Sequence, residues 1–332
     1  MILLVNFGGP RTLDEIFPFL TALLQDRDVV RTNLPSWAHN ALFKRIARKR
    51  AQSIAHDYTS IGGRSPIYFD TEEIAKQLRE KLQVPILTFH RYLPSTHKTS
   101  LQAIEEVSTK DICVLPLFPQ FSYATTGSIA RFFARHLCCK TVNRLRWIKS
   151  YPAHPAFISS YQRRLKDFLE DNQLSSDNTL LLFSAHGLPR SFVCTGDVYQ
   201  AECELSYQRI MEAFPDFLSR LSYQSKFGKG EWLRPYTDET CSSISSWSQG
   251  KTHAVVVPLS FTSDHIETLF EIEQLYLPLL RDQGLKAYRC PALNLAPYWI
   301  DALAQIAQDT QWSSTQMLIR NPEISWCCGA SL

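Results

Sequence analysis

Glycine is in short supply: 12 residues in 332, about half the usual ~7%. Where it does cluster, the backbone has a specific need of it. No C-x-x-C occurs. The nine cysteines stand at 113, 138, 139, 194, 203, 241, 290, 327 and 328, an odd number with two adjacent pairs, which excludes the usual spaced metal and redox motifs. The opening MILLVNFGGP has a short apolar run without a basic flank or an A-x-A site, so it reads as a buried strand rather than a secretory signal. A reducing cytoplasm with free thiols is the expected setting. No run approaches the ~18 to 20 apolar residues of a membrane-spanning helix. An excess of either charge is also missing. With 35 Lys+Arg against 32 Asp+Glu, the formal net charge is +3, no footprint for a nucleic-acid binder. At 45% hydrophobic and 20% charged the chain is too apolar for disorder, and its length suits two domains of roughly 100 to 200 residues.

What is present is an α/β pattern, with short apolar runs alternating with segments of helical period. Strands are expected over Ile2 to Asn6, Ile86 to Phe89, Ile112 to Leu117, Leu180 to Ser184 and His253 to Leu259. Thr12, three before Glu15, reads as a capping box opening the apolar helix Ile16 to Leu24. That helix reads as core, or as an exposed lip touching a bilayer or a flat apolar ligand. Phe43 to Arg50 carries five Lys/Arg and reads as a solvated helix face. The sequence also echoes itself. ILLVNFGGP (2–10) resembles LLLFSAHGLP (180–189), and ICVLPLFPQFS (112–122) resembles AVVVPLSFTSD (254–264). Two similar Rossmann-like α/β domains with parallel sheets flanked by helices follow, spanning 1–148 and 149–305, with the break at the prolines of IKSYPAHPAF. Ligands of open α/β sheets bind outside the carboxyl ends of strands, so the echoing loops are expected to face one cleft.

Two constellations carry chemistry. Ser184-Ala185-His186-Gly187-Leu188-Pro189 places a histidine at the carboxyl end of a buried strand. A lone histidine is often only a structural hydrogen-bonder, but this position favours function. In Ser263 to Glu271, a helix beginning at Asp264 lines up Asp264, Glu267 and Glu271 on one face. A capping box explains Asp264 with Glu267 but leaves Glu271 unaccounted for. A Glu267/Glu271 pair, if buried, needs a metal, a proton or water beside it. Histidine and carboxylates together suit a transient divalent metal such as Fe(II), and equally supply bases for proton removal. No H-E-x-x-H, G-x-S-x-G, P-loop or post-strand G-x-G-x-x-G is present.

These motifs converge. LLVNFGGP (3–10), YTSIGGRSPI (58–67), Arg91-Tyr92, LPLFPQFSYATTGS (115–128), LLFSAHGLP (181–189), GDVY (196–199), YQSKFGKGEWLRPYTDE (223–239) and VVPLSFTSDHIETLFE (256–271) resemble, in order and over nearly the whole chain, the ferrochelatases. That family inserts ferrous iron into a porphyrin at the end of haem synthesis. The resemblance implies two chelatase-type domains, with a C-terminal extension, 306–332, returning to the first. It implies a catalytic pair, His186 and Glu267, and a metal path of His186, Glu267, Asp264, His265 and Glu271. It further implies a porphyrin pocket drawing on Phe7, Arg91, Tyr92, Ser122, Tyr123, Ser184 and Phe261. The expected activity is insertion of Fe(2+) into protoporphyrin IX with loss of two protons, by a cytoplasmic monomer that touches the inner face of a membrane peripherally through residues 16–24.

Three departures qualify the resemblance. Leu275 stands where some members carry a further acid, and Arg64 follows Gly62-Gly63 where many have a third glycine. Cluster-bearing members have a cysteine at the place of Tyr123 and spaced cysteines near the C-terminus. This chain offers only Cys327-Cys328 there, so no [2Fe-2S] cluster and no tightly bound cofactor is expected, iron being a substrate. Competing readings are coproporphyrin III as the substrate, a cobalt or nickel chelatase acting on a sirohydrochlorin-type ring, and a non-catalytic tetrapyrrole carrier.

Overall fold

Apolar runs without alternation make strands that are buried on both faces, as parallel sheets require. Four such runs form the centres of two sheets. The computed structural model describes residues 1–228, 230–309 and 311–319. The chain divides into two compact units, Met1–Ser150 joined by the described residues from Leu303 onward, and Tyr151–Ala302. Of the expected extension 306–332, residues 310 and 320–332, with Cys327 and Cys328, lie outside the described residues.

The first unit holds β1 (Ile2–Asn6), β2 (Ile86–His90), β3 (Ile112–Pro116) and β4 (Leu145–Trp147), all parallel in the order β2-β1-β3-β4. The second holds β5 (Thr179–His186), β6 (Leu218–Gln224), β7 (His253–Pro258) and β8 (Lys286–Arg289), parallel in the order β6-β5-β7-β8. The two sheets therefore share one strand order. The sequence echo maps onto it: β1 corresponds to β5 and β3 to β7. The correspondence extends further, since a π-helix follows the third strand of each unit, Tyr123–Gly127 and Glu267–Tyr276. Such helices are rare and often functional.

The strands that sequence reading did not pick out, β4, β6 and β8, are all sheet edges. They are short or half-polar (LRW, LSRLSYQ, KAYR), because an edge strand needs no continuous apolar run. The edge strand β4 is extended by an antiparallel bridge from Trp147 to Ser313, and the Trp147 indole donates to Thr315 Oγ1 at 3.0 Å. Leu3, Val5, Phe89, Val114, Phe133 and Trp147 centre the first core. Leu180, Leu182, Val256 and Ile272 centre the second.

The N-terminal capping box does not form. Thr12 makes no side-chain cap, and Glu15 accepts instead from the backbone and guanidinium of Arg11. After one 3₁₀ turn, α1 (Ile16–Leu24) buries Ile16, Phe19, Leu20 and Leu24, so most of its apolar surface is core. It is followed by α2 (Ser36–Ser60), which buries His39, Phe43 and Ala47 at fourfold spacing on one side. The basic run lies on the other.

Gly187 is required where β5 meets β6. Its N–H donates to the Gln224 carbonyl at 2.8 Å, and a Cβ would sit 2.7 Å from that same oxygen. The glycine serves backbone-to-backbone approach. Gly187→Ala is expected to cost about 1–3 kcal/mol through the displaced strand end, measured by urea unfolding; an unchanged midpoint contradicts this.

Candidate active site

The second unit brings His186, Glu267, His265 and Glu271 together. His186 ends β5, and its backbone is held from both sides. Its N–H donates to Ser260 Oγ at 2.9 Å, and Tyr199 Oη donates to its carbonyl at 3.0 Å. Tyr161 secures the loop after β7 that carries Ser260, its buried hydroxyl lying 2.9–3.2 Å from the carbonyls of Pro258, Leu259 and Phe261. The imidazole Nδ1 lies 2.7 Å from Glu267 Oε2. A carboxylate only accepts, so Nδ1 carries the proton, and in the neutral ring Nε2 keeps its lone pair. Among the described residues Nε2 has no partner. His265 Nε2 approaches the same Glu267 oxygen at 3.8 Å, and the Phe261 ring lies against His265, with centroids 4.6 Å apart, and edge-on to His186 at 6.2 Å.

Burial alone lowers a histidine's pKa, but here the charge and hydrogen bond of Glu267 outweigh it, and the His186 pKa is raised. In Glu267 burial pushes upward, and the charge and hydrogen bond of His186, with His265 behind them, hold the carboxyl well below its usual range. Glu271 has no such partner. Burial, then the charge of Glu267, pushes it up to about 7, against hydrogen bonds from Ser225 Oγ and from Gln224 Nε2 at 3.3 Å. The site thus holds a carboxylate and a histidine of raised basicity beside a carboxyl that changes charge near neutrality.

The remaining expected site residues distribute differently. Asp264 precedes the π-helix. Its carboxylate accepts from Arg289, Thr268 and Asn294, each at 2.8 Å, and its own N–H donates to Asn294 Oδ1 at 2.7 Å. It ties the helix entry to β8, which corrects both the expected capping box and the expected row of three carboxylates. Among the described residues no group of three or more His, Cys, Asp or Glu is arranged to hold a metal ion. Ser184 is fully buried, donating to Gln224 Oε1 at 2.7 Å, and Ser122 is buried as the cap of the first π-helix. Neither presents a surface to a ligand.

Phe7, Arg91, Tyr92, Ser122 and Tyr123 belong to the first unit. Tyr92 is 0% exposed. Its hydroxyl donates to Asp26 Oδ2 at 2.9 Å, beside the Arg91 guanidinium at 2.7 Å and the Ser128 hydroxyl. Its role is to hold Asp26 and Arg91 in place. Phe7 packs edge-on to it at 4.5 Å and stays partly exposed. Sequence reading missed Gln224, Ser225, Ser260, Tyr199, Arg289 and Asn294. Four of these lie in quoted motifs, Tyr199 in GDVY, Gln224 and Ser225 in YQSKFG and Ser260 in VVPLSFTSD, but a polar side chain carries no sign there of what it will bond.

Buried thiols are inert here, Cys113 being pushed up by burial to about 11 and Cys241 and Cys290 to about 12.

Because Glu271 holds its proton from its ordinary 4.5 up to about 7, the folded state binds more protons than the unfolded one across that window. Stability therefore falls as pH rises through it, by on the order of 3 kcal/mol. Glu271→Gln removes this loss. Urea unfolding of the variant is expected to match wild type most closely at pH 4 and to gain on it up to pH 8; a difference that does not vary with pH contradicts the assignment.

A family model described as ferrochelatase matches residues 1–311. The chain is 44% identical over 319 residues to a ferrochelatase of Chlamydia abortus (strain DSM 27085 / S26/3), covering 96% of this chain and 98% of the relative. It is 44% identical over 308 residues to that of Chlamydia trachomatis serovar A (strain ATCC VR-571B / DSM 19440 / HAR-13), covering 93% and 95%. Among solved structures, SirB from Bacillus subtilis with Fe3+ superposes with a TM-score of 0.55 at 14% identity, covering 96% of this chain and 98% of that one. CbiX, the terminal enzyme for biosynthesis of siroheme in denitrifying bacteria, gives a TM-score of 0.51 at 14% identity, covering 93% and 99%. At that identity the structures show the fold alone, two chelatase-type α/β halves. The sequence matches go further: the chain belongs to the ferrochelatase family, and its activity is that of a metal–tetrapyrrole chelatase.

Proposed function

We propose that the chain inserts ferrous iron into protoporphyrin IX, forming protohaem and releasing two protons. The observation that carries this reading is the His186 Nδ1 to Glu267 contact at 2.7 Å, which leaves Nε2 as a base of raised strength in the second unit. A free-base porphyrin holds two pyrrole N–H protons, and its nitrogen lone pairs point inward. Metal entry requires loss of both protons and bending of the ring. His186 Nε2 takes the two pyrrole protons in turn, passing the first to solvent before it accepts the second, and Glu267 stabilises the imidazolium that forms each time. Glu271, titrating at about 7, passes or neutralises charge beside it. Asp264, with its carboxylate committed to Arg289, Thr268 and Asn294, is left out of this path. In the reverse assignment His186 and Glu267 ligate the incoming iron. In either assignment, Phe261 supplies apolar surface to the ring.

His186→Ala is expected to abolish iron insertion under anaerobic conditions while keeping porphyrin affinity within about tenfold, read by porphyrin fluorescence. Lost affinity with normal turnover at saturation contradicts the proposal, and binding without any wild-type turnover identifies a carrier. Comparing protoporphyrin IX with coproporphyrin III in one assay tests the substrate. The protoporphyrin reading predicts the higher kcat/KM for the less carboxylated ring.

Peripheral membrane contact is part of this reading. Among the described residues no helix is long and apolar enough to cross a membrane. Most of α1 is core, but Leu13 before it is 43% exposed and Trp37 at the start of α2 is 76% exposed. Between Asp28 and Asp57 there is no acid, against Arg31, Lys44, Arg45, Arg48, Lys49 and Arg50. Exposed aromatic and basic residues together suit an anionic bilayer surface. At about 1 kcal/mol per basic residue, replacing Lys44, Arg45 and Lys49 by Glu is expected to lower sedimentation with phosphatidylglycerol vesicles by about 100-fold or more. Equal binding by the variant rules this surface out.

A further inference from the structure

The residue that joins the two halves of the reacting pair is itself uncharged. Gln224 is the last residue of β6, lies opposite His186 in the sheet register, and is 1% exposed. Its amide nitrogen donates to the Glu267 backbone carbonyl at 2.9 Å and reaches Glu271 Oε2 at 3.3 Å. Its amide oxygen accepts from Ser184 Oγ at 2.7 Å. Counting protons settles which way the amide faces. The Glu267 carbonyl has none to give, so the NH2 group must face it, and the oxygen must face Ser184.

The hydroxyls behind it agree with that orientation. Ser222 Oγ donates to the Phe183 carbonyl at 3.0 Å, and Thr237 lies 2.9 Å from Ser222 and 3.0 Å from Ser184. With the Ser222 proton spent on Phe183, Thr237 donates within the group, and the Ser184 proton remains for Gln224. The amide is therefore locked from behind. In front, it spans a backbone carbonyl and a carboxylate four residues apart on the π-helix. One side chain thus connects the strand pair that ends at His186 to the helix that presents both acids.

We propose that Gln224 is a positioning residue for metal insertion: its amide sets the placement of the π-helix carboxylates Glu267 and Glu271 relative to His186 without touching either substrate. This rests on the reading that His186 and Glu267 are the reacting groups. A carboxylate displaced by a fraction of the hydrogen-bond length loses its alignment with the imidazole and with the ring nitrogens, and reaction rate is sensitive to such displacement.

The test compares Gln224→Met, which keeps length and removes the amide, and Gln224→Glu, which keeps an acceptor for Ser184 and removes the donor, with wild type and His186→Ala. Porphyrin-binding sites are titrated by fluorescence quenching, and iron insertion is expressed per titrated site. Both Gln224 variants are expected to lose about 30- to 100-fold in rate per site with the porphyrin KM within about threefold of wild type. A purely structural role lowers the number of sites and leaves the rate per site unchanged. That result, in whichever of the two variants folds, overturns the proposal. Should His186→Ala insert iron at the wild-type rate, the reading of the site itself fails. If His186→Ala is inactive and Gln224→Glu or Gln224→Met retains its rate per site, only the role given to Gln224 fails.

Discussion

A carboxylate and an imidazolium taken out of water both lose the hydration of their charge, and here each group favours the charged form of the other. At His186 and Glu267 the mutual attraction exceeds the burial penalty on both sides, so the histidine becomes a stronger base and the glutamate a stronger acid. The surroundings follow from that balance. Glu271, near the pair but without a cation of its own, takes the opposite shift and titrates at about 7. Backbone clamps at Ser260 and Tyr199 keep the imidazole from turning away. The free Nε2 is what the pairing at Nδ1 leaves over.

Parallel sheets are suited to supply such a pair. β5 and β7 are buried on both faces and end side by side, His186 closing the first and the loop to the π-helix following the second. The widened helical turn brings Glu267 and Glu271 under one amide, that of Gln224. Asp264 and Arg289, both nearly buried, pin the helix entry to β8. Arg289 also pairs with Glu273 at 2.8 Å, so the helix is anchored to the same strand at two points. The first unit repeats the strand order and the π-turn, but its His–Glu contact, His90 Nε2 to Glu72 Oε1 at 2.8 Å, lies at the end of β2, and a separate polar network gathers around Asp26.

Much of this was legible from residue order. Unbroken apolar runs announced β1, β3, β5 and β7, because a doubly buried strand cannot be written with polar residues. His186 and Glu267 were marked by their place after two of those runs. The edge strand β2 was legible too, from its mostly apolar ILTF, whereas β4, β6 and β8 were not, being edges that are short or half-polar. Asp264 was misread for a physical reason: helical spacing assigns it a face, but the helix begins at Glu267, and its carboxylate is taken up by Arg289 and Asn294 from outside the helix and by Thr268 in the first turn. Tyr92 and Ser184 were read as ligand contacts because the family motif includes them, while their burial depends on partners 66 and 40 residues distant. Gln224 was invisible for the same reason, as a neutral amide shows its use only when its two ends are placed.

The central claim is that Glu267 sustains the basicity of His186 against burial. Nitrogen-15 NMR titration of histidine-labelled protein measures it directly, in wild type and in Glu267→Gln. The account predicts a His186 pKa above the free value of about 6.5 in wild type and below it in the variant, where only the charge of Glu271 still opposes burial. The same pKa in both proteins contradicts it.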